Sequence, residues 1–496
     1  MAPDEPYEVV PRLDSLLNLA RGVMHDGGVP AADHQVFPDQ YSTIDGVFTF
    51  RGGPRRIGGA FGTIPEEPVA LEVGWQVRTG EGVAPWFGGA GWTGQPAIVR
   101  WPEVIRHSMV RLGSRRFKGD LVEVIQGSLD GNVYFLDLYT GARTRPPLNT
   151  RNPIKGSVSV DPRGYPLLFV GQGIPQQVPI GLRVYDLIRH HEVFFLAGQD
   201  SDAPRQSWGA FDSSGLLNRL TDTYVVGGEN GLIYLLKLNT NFDPITLSLA
   251  VHPEVTRYRY RHQHSATFGV ENSLSVVRNL AFFGDNSGLI QAVDLRHFTP
   301  IWAFDAGDDT DASVTVDLEG GRPVLYTGCE VDRTGPIGQT HLRRIDGLTG
   351  KVEWDATRSC QGARTPKKID AGVFATNVVG TGDVSSLVFF TLARCPGPEN
   401  GVVLALDKAT GKEVWRSELP HYSWSSPTAV HTPSGHTYLI QGGIGGVVRL
   451  FDARSGAIVA SVKLRGDIEA SPAVFDDRIV LATRGNRIYG LVVKGK

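Results

Sequence analysis

Apolar and polar positions along this chain sort into short strand-like runs, each closed by glycine or an Asx-Gly turn. Thr223-Tyr-Val-Val-Gly-Gly228 ends in glycine, Glu229-Asn-Gly231 turns the chain, and Leu232-Ile-Tyr-Leu-Leu236 follows. The same unit recurs as Leu280-Ala-Phe-Phe-Gly284 before Asn286-Ser-Gly288, and as Asp130-Gly131 before Asn132-Val-Tyr-Phe-Leu-Asp137. An Asp-x-x-Thr-Gly turn leading to an outer strand completes it, clearest at Leu404-Ala-Leu-Asp-Lys-Ala-Thr-Gly-Lys-Glu-Val-Trp415. Self-similarity at a period of roughly 40–60 residues is the mark of a repeat architecture. In that turn the aspartate accepts backbone N–H bonds, the glycine supplies a left-handed conformation, and the tryptophan is a plug between neighbouring sheets.

A further strand opens each unit, and eight windows align: 93–99, 155–160, 206–211, 264–268, 311–316, 370–375, 424–430 and 469–474. Their small residues suit the innermost strand of a radial sheet, where blades crowd an axis. Eight starts predict an all-β, eight-bladed β-propeller of four-stranded antiparallel blades. The last unit runs out before its outer strand, and Glu72-Val-Gly-Trp-Gln-Val-Arg78 is a strand without a unit. Pairing the two closes the ring and removes two exposed sheet edges. Residues 1–47 form a separate lead-in, and residues 48–496 the propeller. Within the lead-in, Leu13, Leu16, Leu17, Ala20, Val23 and Met24 fall at helical spacing before Gly27-Gly28, predicting a short amphipathic helix docked on the body.

Composition narrows the classes. The 496 residues carry 49 basic and 52 acidic side chains, which marks no nucleic-acid surface. Sixty glycines and 31 prolines agree with many short strands and turns. No apolar run is long enough to cross a bilayer, and no signal-peptide pattern opens the chain. As it stands the sequence reads as cytoplasmic; with an export signal removed, the periplasm or the cell exterior is the expected compartment. Three cysteines allow one disulfide at most. Cys360–Cys395 is the pair expected, and three buried thiols are the alternative.

The segment Ala405-x-Asp407-x-x-Thr410-Gly411-Lys412-Glu413-x-Trp415 resembles the tryptophan-docking motif of the pyrroloquinoline-quinone (PQQ)-type β-propeller superfamily. Phe48-Thr-Phe-Arg-Gly-Gly-Pro-Arg-Arg56, followed by Trp75-Gln-Val-Arg-Thr-Gly80, is similar to the way such chains begin. The resemblance covers residues 48–496 and speaks for fold more than for function. It implies either a quinoprotein dehydrogenase, holding PQQ and calcium on the axis, or a non-enzymatic protein similar to BamB that binds partner proteins. The sequence has no vicinal cysteine pair and no C-x-x-C-H haem site, so it carries neither a PQQ nor a haem signature. Calcium stays open as a cofactor.

With the windows aligned this way, the residues opening them ring one channel mouth: Thr93, Lys155, Gln206, His264, Asp311, Asp370, Trp424 and Glu469. Trp92, Arg205, Trp208, His262, Asp309, Lys368, Tyr422 and Asp467 are their neighbours. Three chemistries compete there. Asp311, Asp370 and Glu469 suit a hard cation. His264 beside an aspartate suits a general base with an orienting carboxylate. Lys155 and Arg205, with Trp92, Trp208 or Trp424, suit a carboxylate ligand with an aromatic body. The bland alternative is a wet, polar mouth without a task. His262-Gln-His264 is a poor joint metal pair, because alternate residues of an extended chain face opposite ways. Asp305-Ala-Gly-Asp-Asp-Thr-Asp311 reads as a solvated inter-blade loop, and Arg257-Tyr-Arg-Tyr-Arg261 as a two-sided edge strand. The expected function is a binding or scaffold protein that takes a small-molecule ligand or a partner protein at the mouth and inter-blade loops. The alternative is an enzyme acting on a small polar or aromatic substrate there, with His264, Asp311, Asp370 or Glu469 as catalytic groups.

Overall fold

Central strands bury both faces, as Val122–Gly127 and Leu387–Ala393 do along their whole length. Outer strands alternate half-buried and exposed positions, as in Val352–Gln361 and Glu413–Leu419. Such a pattern arises where twisted sheets pack face to face around an axis and show water only their outermost strand. The computed structural model describes residues 5–12, 20–26, 36–92, 94–109, 120–261, 265–333, 335–364 and 368–496. Eight sheets, antiparallel but for the parallel pairing of Ala60–Phe61 with Ala473–Phe475, form the eight blades of a propeller, and two short hairpins stand apart from them. Glu103–Met109 is the one α-helix among the described residues.

The innermost strands are Ala97–Arg100, Ser159–Val160, Leu216–Asn218, Ser275–Val277, Thr315–Glu319, Val378–Val379, Thr428–His431 and Ala473–Phe475. Each starts later than its predicted window. In blades three, four and six the shift is large enough that windows 206–211, 264–268 and 370–375 lie wholly before the strand. Closure is as expected: Pro68–Arg78 pairs antiparallel with Arg487–Gly495 and completes blade eight.

Neighbouring blades are fastened by the tryptophans. Trp354 of blade five donates its indole N–H to the Lys408 carbonyl of blade six at 2.8 Å. Asp407 accepts from the N–H and hydroxyl of Thr410 at 2.9 and 2.6 Å, shaping the turn that receives the ring. Gly411 holds φ +69° there, and a Cβ on it would lie 2.7 Å from the Trp354 ring.

A second belt circles the axis. At six of the eight junctions a backbone N–H of one blade donates to a hydroxyl of the next: Gln95 to Ser157, Ser214 to Ser273, Ser273 to Ser313, Ser313 to Thr376, Thr376 to Ser426, and Ser426 to Ser471. These bonds set the true register of the innermost segments, because each belt residue occupies the same level of the channel.

Residues 46–61 run beneath that belt and touch every blade. Gly46 and Val47 pair with blade one. Val160, Val276, Val316 and Val474 donate to the carbonyls of Phe48, Pro54, Arg55 and Gly59. Thr49 reaches Ser214 of blade three, and Arg51 donates to the carbonyls of Asn377 and Pro427 in blades six and seven. This segment plugs the axial channel at one end.

Two expectations are corrected. The helical spacing that begins at Leu13 does not continue as a helix: Ala20–Asp26 is a strand, antiparallel to Glu254–Arg261, while residues 13–19 lie outside the described residues. That pairing also makes Glu254–Arg261 an interior strand, flanked by Leu232–Lys237 on its other side. Tyr258 and Tyr260 face inward and are fully buried, so the basic–aromatic alternation is a core face backed by an outward face. Cys360 and Cys395 form a disulfide, and Cys329 is a buried free thiol. Among the described residues no helix is long and apolar enough to cross a membrane.

Candidate functional site

Because the plug closes one end, the channel is a blind funnel. Its floor is Phe50 of the plug with the belt hydroxyls of Ser157, Ser273, Ser313, Thr376 and Ser426, and it encloses about 260 Å³. The belt identifies the wall. Two residues before the belt positions of blades two to eight stand Lys155, Asp212, Glu271, Asp311, Phe374, Trp424 and Glu469. Lys155, Asp311 and Trp424 line the cavity in three of the windows read from the sequence, and Glu469 holds the equivalent position in blade eight. In blades three, four and six the positions predicted as Gln206, His264 and Asp370 are occupied by Asp212, Glu271 and Phe374.

Charge is divided across the mouth. On one side Lys155 pairs with Asp212 and stands 3.5 Å from Glu229. Burial alone would lower the pKa of the Lys155 ammonium, but Asp212 and Glu229 outweigh it and hold it above the usual lysine range. Glu229 is almost fully buried and receives the Trp208 indole N–H at 2.6 Å. Burial, reinforced by Asp212, pushes its carboxyl up to about 8. Arg205 lies over the Trp208 ring at 5.6 Å and reaches Glu271 at 4.0 Å.

Beside this group sits a second. Carboxylate oxygens of Asp309, Asp311 and Glu330 lie within 4.8 Å of one another. Glu330 is 3% exposed, and among the described residues its Oε1 has no hydrogen-bond partner; neither has Oδ1 of Asp309. Burial and then the nearby Glu271 carboxyl push Asp311 up to about 7, and burial with the neighbouring acids holds Asp309 and Glu330 well above the carboxylate range. Three crowded acids without a cation keep protons they would otherwise lose. The run 305–311 is solvated only at its start: Asp305 and Gly307 are exposed, but Asp308 is buried, accepting the N–H groups of Asp332 and Arg333, and Asp311 lines the funnel.

The opposite wall is aromatic. Trp424 packs against Phe374 at 5.3 Å and Tyr422 at 6.0 Å, and Arg394 covers Tyr422 at 3.7 Å. Trp92 stands between two cations, with Lys155 at 5.8 Å and Arg484 at 5.0 Å from its ring. Arg484 lies 3.6 Å from Glu469, whose carboxyl burial raises to about 7.

Several predicted residues stand elsewhere. Gln206 is exposed and donates to the Ser201 carbonyl. Asp370 is outside the cavity wall, with its carbonyl accepting Arg394. Thr93, His262 and His264 lie outside the described residues, as does the side chain of Lys368. Sequence reasoning missed Asp212, Glu229, Glu271, Glu330 and Phe374. A recurring Ser-x-Ser or Ser-x-Thr around the belt hydroxyls, as in Ser273-Leu-Ser275 and Ser313-Val-Thr315, was the signal that fixes the ring.

With this geometry in hand, comparison with known proteins places the architecture among the PQQ-type propellers. Residues 399–495 match the family model described as outer membrane protein assembly factor BamB. A quinohemoprotein alcohol dehydrogenase from Pseudomonas putida superposes with a TM-score of 0.62 at 11% identity, over 91% of this chain and 81% of its own. The quinohemoprotein alcohol dehydrogenase of Comamonas testosteroni gives 0.59 at 13% identity, over the same shares of the two chains. BamB from Moraxella catarrhalis gives 0.48 at 16% identity, over 80% and 98%. No curated protein sequence matches the chain. The chain has the PQQ-type eight-bladed propeller fold, with the BamB-like repeat in its last blades.

A PQQ cofactor is tested by the wall itself. The quinone is a flat tricarboxylate and needs cationic partners. The cavity offers Lys155, already paired with Asp212, against the carboxyls of Asp212, Glu271 and Asp311. These residues do not fit a trianion. They do suit a hard cation, whose oxygen ligands lie about 2.3–2.6 Å away.

Proposed function

We propose that this protein is a ligand-binding propeller whose site is the blind funnel. Its ligand is a hard divalent cation of the calcium class, held by Asp309, Asp311 and Glu330, with an organic partner group lying on Trp92 and Trp424. The observation that carries the reading is Glu330: a buried carboxyl with an unpartnered oxygen, inside a group of three whose spacing one ion can span. Uncompensated buried acids are costly, and a cation removes that cost. The Cys360–Cys395 disulfide agrees with work in an oxidising compartment.

Calcium titration by calorimetry tests this reading. Binding should release protons near neutral pH, because the acids must ionise to coordinate. Asp311→Asn and Glu330→Gln should each weaken binding by about tenfold or more. Calcium binding that is absent, or indifferent to both substitutions, overturns it.

A second reading, an enzyme acting on a small polar substrate, draws support from Asp311. A carboxyl raised to about 7 in a concave site is poised as a general base near neutrality. Asp311→Asn would then abolish turnover while leaving the melting temperature nearly unchanged.

A further inference from the structure

On the far face of the plug lies a second cavity of about 440 Å³. Its surface is largely apolar, from Phe37, Tyr41, Ile57, Val276 and Leu318. Its charge comes from four arginines, Arg51, Arg55, Arg56 and Arg278, against the single carboxylate of Asp39.

Arg51 and Arg56 are fully buried and bond only to uncharged acceptors. Arg51 donates to the carbonyls of Arg56, Asn377 and Pro427, and Arg56 to those of Leu274, Phe50 and Ser214 and to the Thr49 hydroxyl. Burial lowers them to about 9 and about 10, and among the described residues neither has a counter-ion. Arg278 lies 3.8 Å from Asp39 and over the Tyr7 ring at 5.0 Å.

Arg55 differs from the other three. It is half-buried in the cavity wall, and among the described residues its guanidinium has no hydrogen bond and no ion pair; Asp317 and Asp39 act on it only through space. A guanidinium fork in a partly dry, net-positive cavity matches a carboxylate.

We propose that this cavity binds a small organic carboxylate. The carboxylate sits on Arg55, and the apolar body lies against Phe37, Tyr41 and Val276. The site is separate from the funnel, with the plug between them, and does not depend on the cation reading.

Benzoate is the probe, followed by calorimetry and by thermal melting of the full chain. Benzoate should bind and raise the melting midpoint. Arg55→Gln should weaken binding by about tenfold or more, while its own ligand-free midpoint stays at the wild-type value, since the side chain holds no structural bond. Arg55→Lys should keep part of the affinity. No binding at millimolar benzoate, or binding unchanged in Arg55→Gln, overturns the proposal. Inorganic phosphate matching benzoate in an Arg55-dependent way would show that the site reads charge alone, and would overturn the apolar half. Loss of benzoate binding in Asp311→Asn would place the ligand in the funnel and would overturn it too.

Discussion

Trp415 in blade six covers Gly456 in blade seven: the indole N–H meets the Ala453 carbonyl at 3.0 Å, and a Cβ on Gly456 would lie 2.4 Å from the ring. Gly456 also holds φ +74°. A methyl group there is penalised twice, by the left-handed backbone and by overpacking against a large ring. Gly456→Ala should therefore destabilise by about 2–4 kcal/mol. Gly435 has φ +87° with open space around its Cβ position, so Gly435→Ala isolates the backbone part, about 1 kcal/mol. Calorimetric melting of the two variants checks the difference.

Blade one contains a buried ion pair on which a second prediction rests. Glu123 is fully buried, receives Arg145 at 2.7 and 3.1 Å, and accepts the Trp101 indole N–H at 2.8 Å. Removing the carboxylate strands a buried guanidinium. Glu123→Ala should cost about 3–5 kcal/mol, and Glu123→Gln less, since the amide oxygen still accepts. Denaturant unfolding of both variants orders them.

Stability should fall with rising pH when no cation is present. Asp311, Glu469 and Glu229 are raised to about 7, 7 and 8 in the folded state, above their unfolded carboxylate values. The folded protein then binds more protons than the unfolded chain across this window. Its stability from these groups is complete below the unfolded values and is lost as pH rises towards 7–8. Melting midpoints in chelator should decline from mildly acidic to mildly alkaline buffer. Added calcium should flatten that decline, and Glu330→Gln should abolish the calcium effect.

The disulfide stands beside the aromatic wall, next to Arg394. Cys360 and Cys395 are 35 residues apart in sequence, and Cys395 follows Arg394, whose guanidinium covers Tyr422. Opening a loop of that length costs about 3–4 kcal/mol on the chain-entropy account. Replacing both cysteines by serine should lower the melting midpoint and free Arg394 from the aromatic wall. The Trp424 share of the fluorescence, taken as the difference from a Trp424→Phe background because the chain holds nine tryptophans, should shift with it.

Much of this was legible in the strand pattern. The glycine-ended strands, the Asp-x-x-Thr-Gly turns and the unpaired Glu72–Arg78 run led to eight blades and to their closure, because each feature is local. Mouth residues were legible only in part. Lys155, Asp311, Trp424 and Glu469 stood where their windows put them, since each lies two residues before a belt hydroxyl. Asp212, Glu271 and Phe374 did not, because the chain entering blades three, four and six varies in length before the strand. Polar composition alone could not tell Gln206 from Asp212.

Local chemistry in the sequence therefore determined the blades, their number and the tryptophan fasteners: period-two burial and turn residues act over a few positions. Tertiary structure alone decided the funnel. Its ring is set by hydrogen bonds between residues some forty to sixty positions apart, such as Ser273 to Ser313 and Ser313 to Thr376. Its closed end depends on one segment touching all eight blades. The perturbed acids follow from that enclosure, because a carboxyl is shifted by the water and charge around it and not by its neighbours in sequence.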